Sequence, residues 1–143
     1  MINCLISECT LVAPFHGMWL IQTFVSSFFA ILFIQSGLDK VLDWKGNLEW
    51  LVGHFSKSFL SGMVPMLLGT LTFVELAAGI VSLIGAGEAL LFKTYCFSFL
   101  GTFLCALSLI MLFFGQRVAK DYAGAGGLVP YFILAIINLY FLV

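Results

Sequence analysis

Residues 63–85, MVPMLLGTLTFVELAAGIVSLIG, contain a single ionisable side chain, Glu75. At 1.5 Å rise per residue this stretch is about 34 Å long as a helix, enough to cross about 30 Å of hydrocarbon. Three further stretches read the same way: 18–38, 94–115 and 126–143. The last is short, so its end lies near an interface. Hydrophobic residues make up 62% of the 143-residue chain and charged residues 9%, against roughly 25% charged in a soluble domain. That charge cannot cover a water-facing surface, which excludes a water-soluble enzyme and a disordered chain. The expectation is an all-α polytopic membrane protein in one domain, four transmembrane helices forming a bundle.

Between the first two spans, residues 46–60 read GNLEWLVGHFSKSFL. Leu48, Leu51, Val52, Phe55 and Phe59 recur at helical spacing, with Glu49, His54, Ser56 and Lys57 off that face. The segment is too short and too polar to span. It reads as an amphipathic helix lying in the interface, with Trp50 as a headgroup anchor. The Gly-Ala alternation in 116–127, QRVAKDYAGAGG, reads as a helix-breaking loop.

Lys40, Lys45, Lys57, Arg117 and Lys120 lie in the first and third loops, and only Lys93 lies on the other side. The positive-inside rule places loops 39–62 and 116–127 in the cytoplasm and both termini outside, in a bacterial cytoplasmic membrane. The first 39 residues hold no Lys or Arg, so a cleaved signal peptide is not expected. Net charge is −1, which leaves no basic patch for nucleic acid.

Glu75 is the main candidate for function. It lies 12 residues past Met63, about 18 Å along the helix, where a carboxylate must be neutral or paired. Thr72, Glu75, Gly79 and Ser82 form a small, polar stripe that points into a bundle. Counting similar depths along the other spans reaches Ser26 and Ser27, Thr102 and Cys105, and Asn138. One intramembrane polar layer is therefore expected, with Asn138 as the partner of Glu75. Its role is either ligand binding or interhelical hydrogen-bond glue. A second candidate is a charged mouth of Asp39, Lys40, Arg117 and Asp121, where Asp39–Arg117 and Lys40–Asp121 pairs can form; the competing reading, favoured for any single pair, is a solvated interface with ion pairs worth about 0–1 kcal/mol each. Arg117 is the residue suited to an anionic head group.

Metal and catalytic sites are not expected. His16 and His54 fall on opposite membrane sides. Cys96 and Cys105 are about 13 Å apart along one helix, too far to bridge. Cys4 and Cys9 could join if the N-terminus faces the oxidising side, but free thiols are the expectation in so short a tail. No nucleophile–base–orienter set is readable.

GLDKVLD at 37–43, the interfacial segment and VELAAGIVSLIG at 74–85 resemble the DoxX-like family of small four-helix membrane proteins. That family is related to DoxD, a subunit of thiosulfate:quinone oxidoreductase. Gly37 and Lys40 are similar to its Gly-x-x-Lys exit from the first helix. Glu75 and Gly79 are similar to its Glu-x-x-x-Gly, and GAGGL at 124–128 to its glycine turn. The Ser-Leu-Asp that often follows that turn is replaced by Val-Pro-Tyr at 129–131. The resemblance implies a non-catalytic subunit of a quinone-linked membrane redox system, with quinone as the implied cofactor. Its partners would be the lipid bilayer and other membrane subunits or further copies of itself. A structural or assembly subunit, and a small-solute or proton carrier, are the competing readings.

Overall fold

A computed structural model describes residues 17–143. Cys4, Cys9 and His16 lie outside the described residues. The order is α1 (Met18–Leu42), α2 (Trp44–His54), a 3-10 turn (Ser61–Met63), α3 (Val64–Phe92), α4 (Cys96–Val118) and α5 (Tyr122–Leu142). There is no strand among the described residues. The helices α1, α3, α4 and α5 are each long and apolar enough to cross a membrane. The chain is an integral membrane protein with an all-α, polytopic architecture. With no water in the hydrocarbon, each span must satisfy its backbone polar groups internally, which is why every apolar stretch is helical.

Small residues let the helices approach closely. A Cβ at Gly79 would lie 2.7 Å from the Ile34 amide nitrogen, which ties α3 against α1. Cβ atoms at Gly85 and Gly101 would lie within 2.6 to 2.9 Å of backbone atoms of Ser98 and Ser82, which ties α3 against α4. Helix association in lipid depends on such contact. The core between them holds Phe29, Phe33, Ala78, Cys105, Ala106, Leu109 and Ala135. Outward-facing Phe24, Phe73, Phe103 and Ile133 are exposed apolar residues, the pattern of a lipid-facing surface.

Three expected boundaries need correction. The interfacial helix starts at Trp44 and stops at His54, not at residue 60. Asp43 sets its start by accepting a hydrogen bond from the Gly46 amide. Phe55 and Leu60 then fold back with Val64 into a small core against Leu48 and Leu51, while Phe59 stays 77% exposed. The second span continues to Phe92 and ends at Lys93 in the left-handed conformation, φ 55°. The glycines after Asp121 do not break a helix: α5 already begins at Tyr122. The Asp121 carboxylate accepts from the Gly124 amide at 2.9 Å. That cap and the apolar surroundings outweigh the low helix propensity of glycine. The true connection is Ala119–Asp121, reversed at Lys120, φ 62°.

Candidate functional site

Glu75 is fully buried and holds an ion pair with Lys40, Oε2 to Nζ 2.9 Å. The Ser36 hydroxyl donates to Glu75 Oε1 at 3.2 Å. Lys40 in turn donates to the Ser36 hydroxyl at 2.8 Å and the Ser36 carbonyl at 3.1 Å. Lys40 sits in the last turn of α1 and its ammonium points back along the helix, so the pair clamps α1 to α3. Neither Asn138 nor any other member of the expected layer touches Glu75 through a hydrogen bond.

Asn138 belongs to a second network. It accepts from Gln22 Nε2 at 2.9 Å and donates to Thr102 Oγ1 at 2.8 Å. Thr102 donates to the Ser98 carbonyl at 2.8 Å. The Ser26 hydroxyl donates to Ser98 Oγ at 3.3 Å, and Ser98 donates to the Gly85 carbonyl at 3.0 Å. Ser82 and Cys105 share a contact of 3.5 Å beside it. These side chains join α1, α3, α4 and α5 and are all buried.

The single layer is therefore two. Ser36, level with Glu75, is six residues from the end of α1, about 9 Å. Gln22, level with Asn138, is four residues from the other end of α1, about 6 Å. Depth counted separately along each span missed this because the helices differ in length and begin at different heights. Gln22, Ser36 and Ser98 were not singled out in the sequence. Gln22 was legible as a polar member of the stripe Met18, Gln22, Ser26, Phe29, Phe33, Gly37, spaced at three and four residues and buried in the structure.

Among the described residues the charged mouth forms neither an Asp39–Arg117 nor a Lys40–Asp121 pair. Lys40 is committed to Glu75. Among the described residues Asp39 and Arg117 form no ion pair with each other; Arg117 lies over the Tyr122 ring at 4.6 Å. Asp121 caps α5, and its other oxygen lies 3.9 Å from His54 Nε2. At the opposite end the Glu88 carboxylate, inside α3, accepts from the Cys96 and Phe97 amides at 3.3 and 2.7 Å. It neutralises the free N–H groups that begin α4.

A cavity of about 190 Å³ opens beneath α2, between the start of α3 and the end of α4. Its walls are apolar, among them Leu51, Phe55, Val64, Leu68 and Met111, and His54 and Gln116 also line it. His54 stacks on Trp50 with ring centroids 4.5 Å apart. Glu75 and Asn138 do not line this space. No group of three or more His, Cys, Asp or Glu side chains could hold a metal ion among the described residues.

Neither a family model, nor a curated protein, nor a solved structure matches this chain.

Proposed function

We propose that the chain is a non-catalytic membrane subunit of DoxX-like type, associated with a quinone-linked redox system in the bacterial cytoplasmic membrane. The observation that carries this reading is the mutual engagement of the polar groups inside the bundle. Glu75 is held by Lys40 and Ser36, Asn138 by Gln22 and Thr102, and Cys105 by Ser82. Groups so paired brace helices; none presents a free nucleophile or base to an open space. The GLDKVLD segment contributes Lys40 to that bracing, in keeping with the resemblance.

A structural or assembly subunit without ligand is the second reading. The observation that favours it is α5, the least buried of the four spans, which buries only Ala125, Ala135 and Asn138. The carrier reading has less support, because the Glu75 carboxylate is held by Lys40 and Ser36 and does not line the open cavity. Purification at native expression, with mass spectrometry of retained proteins and extraction of quinones, separates the first two. The proposal expects redox subunits and quinone above the level in control membranes. Retained partners with background quinone would favour the assembly subunit. Neither partner nor quinone would overturn the redox association.

A further inference from the structure

The outward faces of α1 and α5 each carry a polar group that has lost its partner. Pro130 lies inside α5 and has no N–H, so the Gly126 carbonyl four residues before it loses its helical donor. No other hydrogen bond among the described residues replaces it. Gly126 and Pro130 are both exposed, and a Cβ at Gly126 would meet nothing within 4 Å, so the carbonyl is open to an approaching helix. Pro130 lies nine residues past Asp121, about 13 Å along a membrane span, at a depth where an unsatisfied carbonyl is costly. On α1 the Gln35 amide is exposed and takes part in no hydrogen bond among the described residues. A helical side chain leans toward the N-terminus of its helix, so this amide is directed deeper into the membrane and away from the α2 end.

The two groups are complementary and stand at one height. α1 and α5 are antiparallel neighbours, joined by Gln22–Asn138 at 2.9 Å and by the stacked Phe28 and Tyr131 rings, centroids 6.1 Å apart. From that ring pair toward the α2 end, Gln35 lies seven residues along α1 and Gly126 five residues along α5, about 10.5 and 7.5 Å. The Gln35 side chain covers the difference of about 3 Å by leaning back toward its helix N-terminus. Gln35 follows Phe28 by two turns, so it lies on the side of α1 nearest α5. We propose that a second copy of this chain docks here, about a two-fold axis along the membrane normal, with the Gln35 amide of each copy donating to the Gly126 carbonyl of the other. Such an axis preserves height, sets α1 of each copy against α5 of the other, and forms both bonds in one self-complementary interface. A second copy is the occupant because the chain itself carries the missing donor at the required height. This interface stands apart from the redox association, and a failed quinone extraction leaves it untouched.

The test uses the full chain in liposomes. Energy transfer between donor- and acceptor-labelled copies should fall on dilution with lipid along a monomer–dimer isotherm. Gln35→Leu should weaken dimerisation about tenfold, because symmetry removes both interhelical hydrogen bonds at once. Pro130→Ala returns the N–H to α5, pairs the Gly126 carbonyl inside the helix, and should weaken dimerisation by a similar factor without lowering the stability of the monomer in sodium dodecyl sulfate. The two changes together should weaken it no further than either alone, because they remove the same bonds. Phe73→Leu, on the exposed side of α3, should leave it unchanged. The pairing of helices is read from disulfides after all four cysteines are replaced by serine. Copies carrying Leu38→Cys, mixed with copies carrying Ala123→Cys, should link to each other in excess of either to itself; both positions are exposed and near the proposed bonds. If Pro130→Ala does not fold, Gln35→Leu and the disulfide pattern decide the matter. Energy transfer no greater than random proximity gives would overturn the proposal and leave this face to a different protein. A Gln35→Leu dimer as tight as the parent, additive losses in the double variant, or disulfides dominated by like positions would also overturn it.

Discussion

Replacing Lys40 by methionine removes the counter-charge of a carboxylate that has no exposure to solvent. Breaking a buried pair from one side costs about 3–5 kcal/mol, because the remaining charge is uncompensated. The converse change is milder. Glu75→Gln leaves Lys40, 15% exposed and in the last turn of α1, free to turn its ammonium toward the interface. It also keeps an acceptor for Ser36, so we expect a loss of about 1–2 kcal/mol. The double variant has no stranded charge and should lie within about 2 kcal/mol of the parent. Glu75→Gln therefore destabilises the parent and stabilises the Lys40→Met background. The assay is unfolding by sodium dodecyl sulfate in mixed micelles, followed by tryptophan fluorescence, for the four proteins of the cycle. A Glu75→Gln effect equal in both backgrounds, within about 0.5 kcal/mol, would refute the ion pair as the clamp between α1 and α3.

Asn138→Leu strands the Gln22 amide and the Thr102 hydroxyl, and should lower stability by about 1 kcal/mol in the same assay. Gly79→Ala drives a Cβ into the α1 backbone and should cost about 1–3 kcal/mol, whereas Gly87→Ala, with open space around it, should be neutral or slightly stabilising. In a Cys4→Ser, Cys9→Ser background, exposed Cys96 should react with an impermeant maleimide added outside intact cells, and buried Cys105 should stay unlabelled until the protein is denatured. Labelling of Cys96 only after permeabilisation would reverse the assigned orientation.

The spans were legible because the hydrocarbon core imposes one requirement, about 20 apolar residues in a helix, that composition alone reveals. The ends of the elements were less legible. Gly124, Gly126 and Gly127 signal a break by local propensity, yet a cap from Asp121 and an apolar environment hold them helical. The interfacial segment shows the same limit. Its apolar spacing continues past His54, but Phe55 and Leu60 close a turn onto Val64 instead of extending the helix.

For the candidate residues, sequence determined the types and not the partners. Glu75 was conspicuous as the acid in a long apolar run, and the requirement that it be paired follows from the cost of an isolated charge in hydrocarbon. That Lys40 pairs with it depends on the relative height of α1 and α3. This height is set by contacts such as Gly79 against Ile34 and Gly37 against Leu76. The same register carries Asn138 away from Glu75 and onto Gln22, splitting the expected single layer into two. The cavity beneath α2 had no signature in the chain at all. His54, Gln116 and Asp121 lie on three different helices or their caps, and their proximity arises only where α2 folds over the ends of α3 and α4. Hydropathy acts along one helix at a time; register between helices is decided by interlocking side chains far apart in sequence, so only the tertiary structure specifies it.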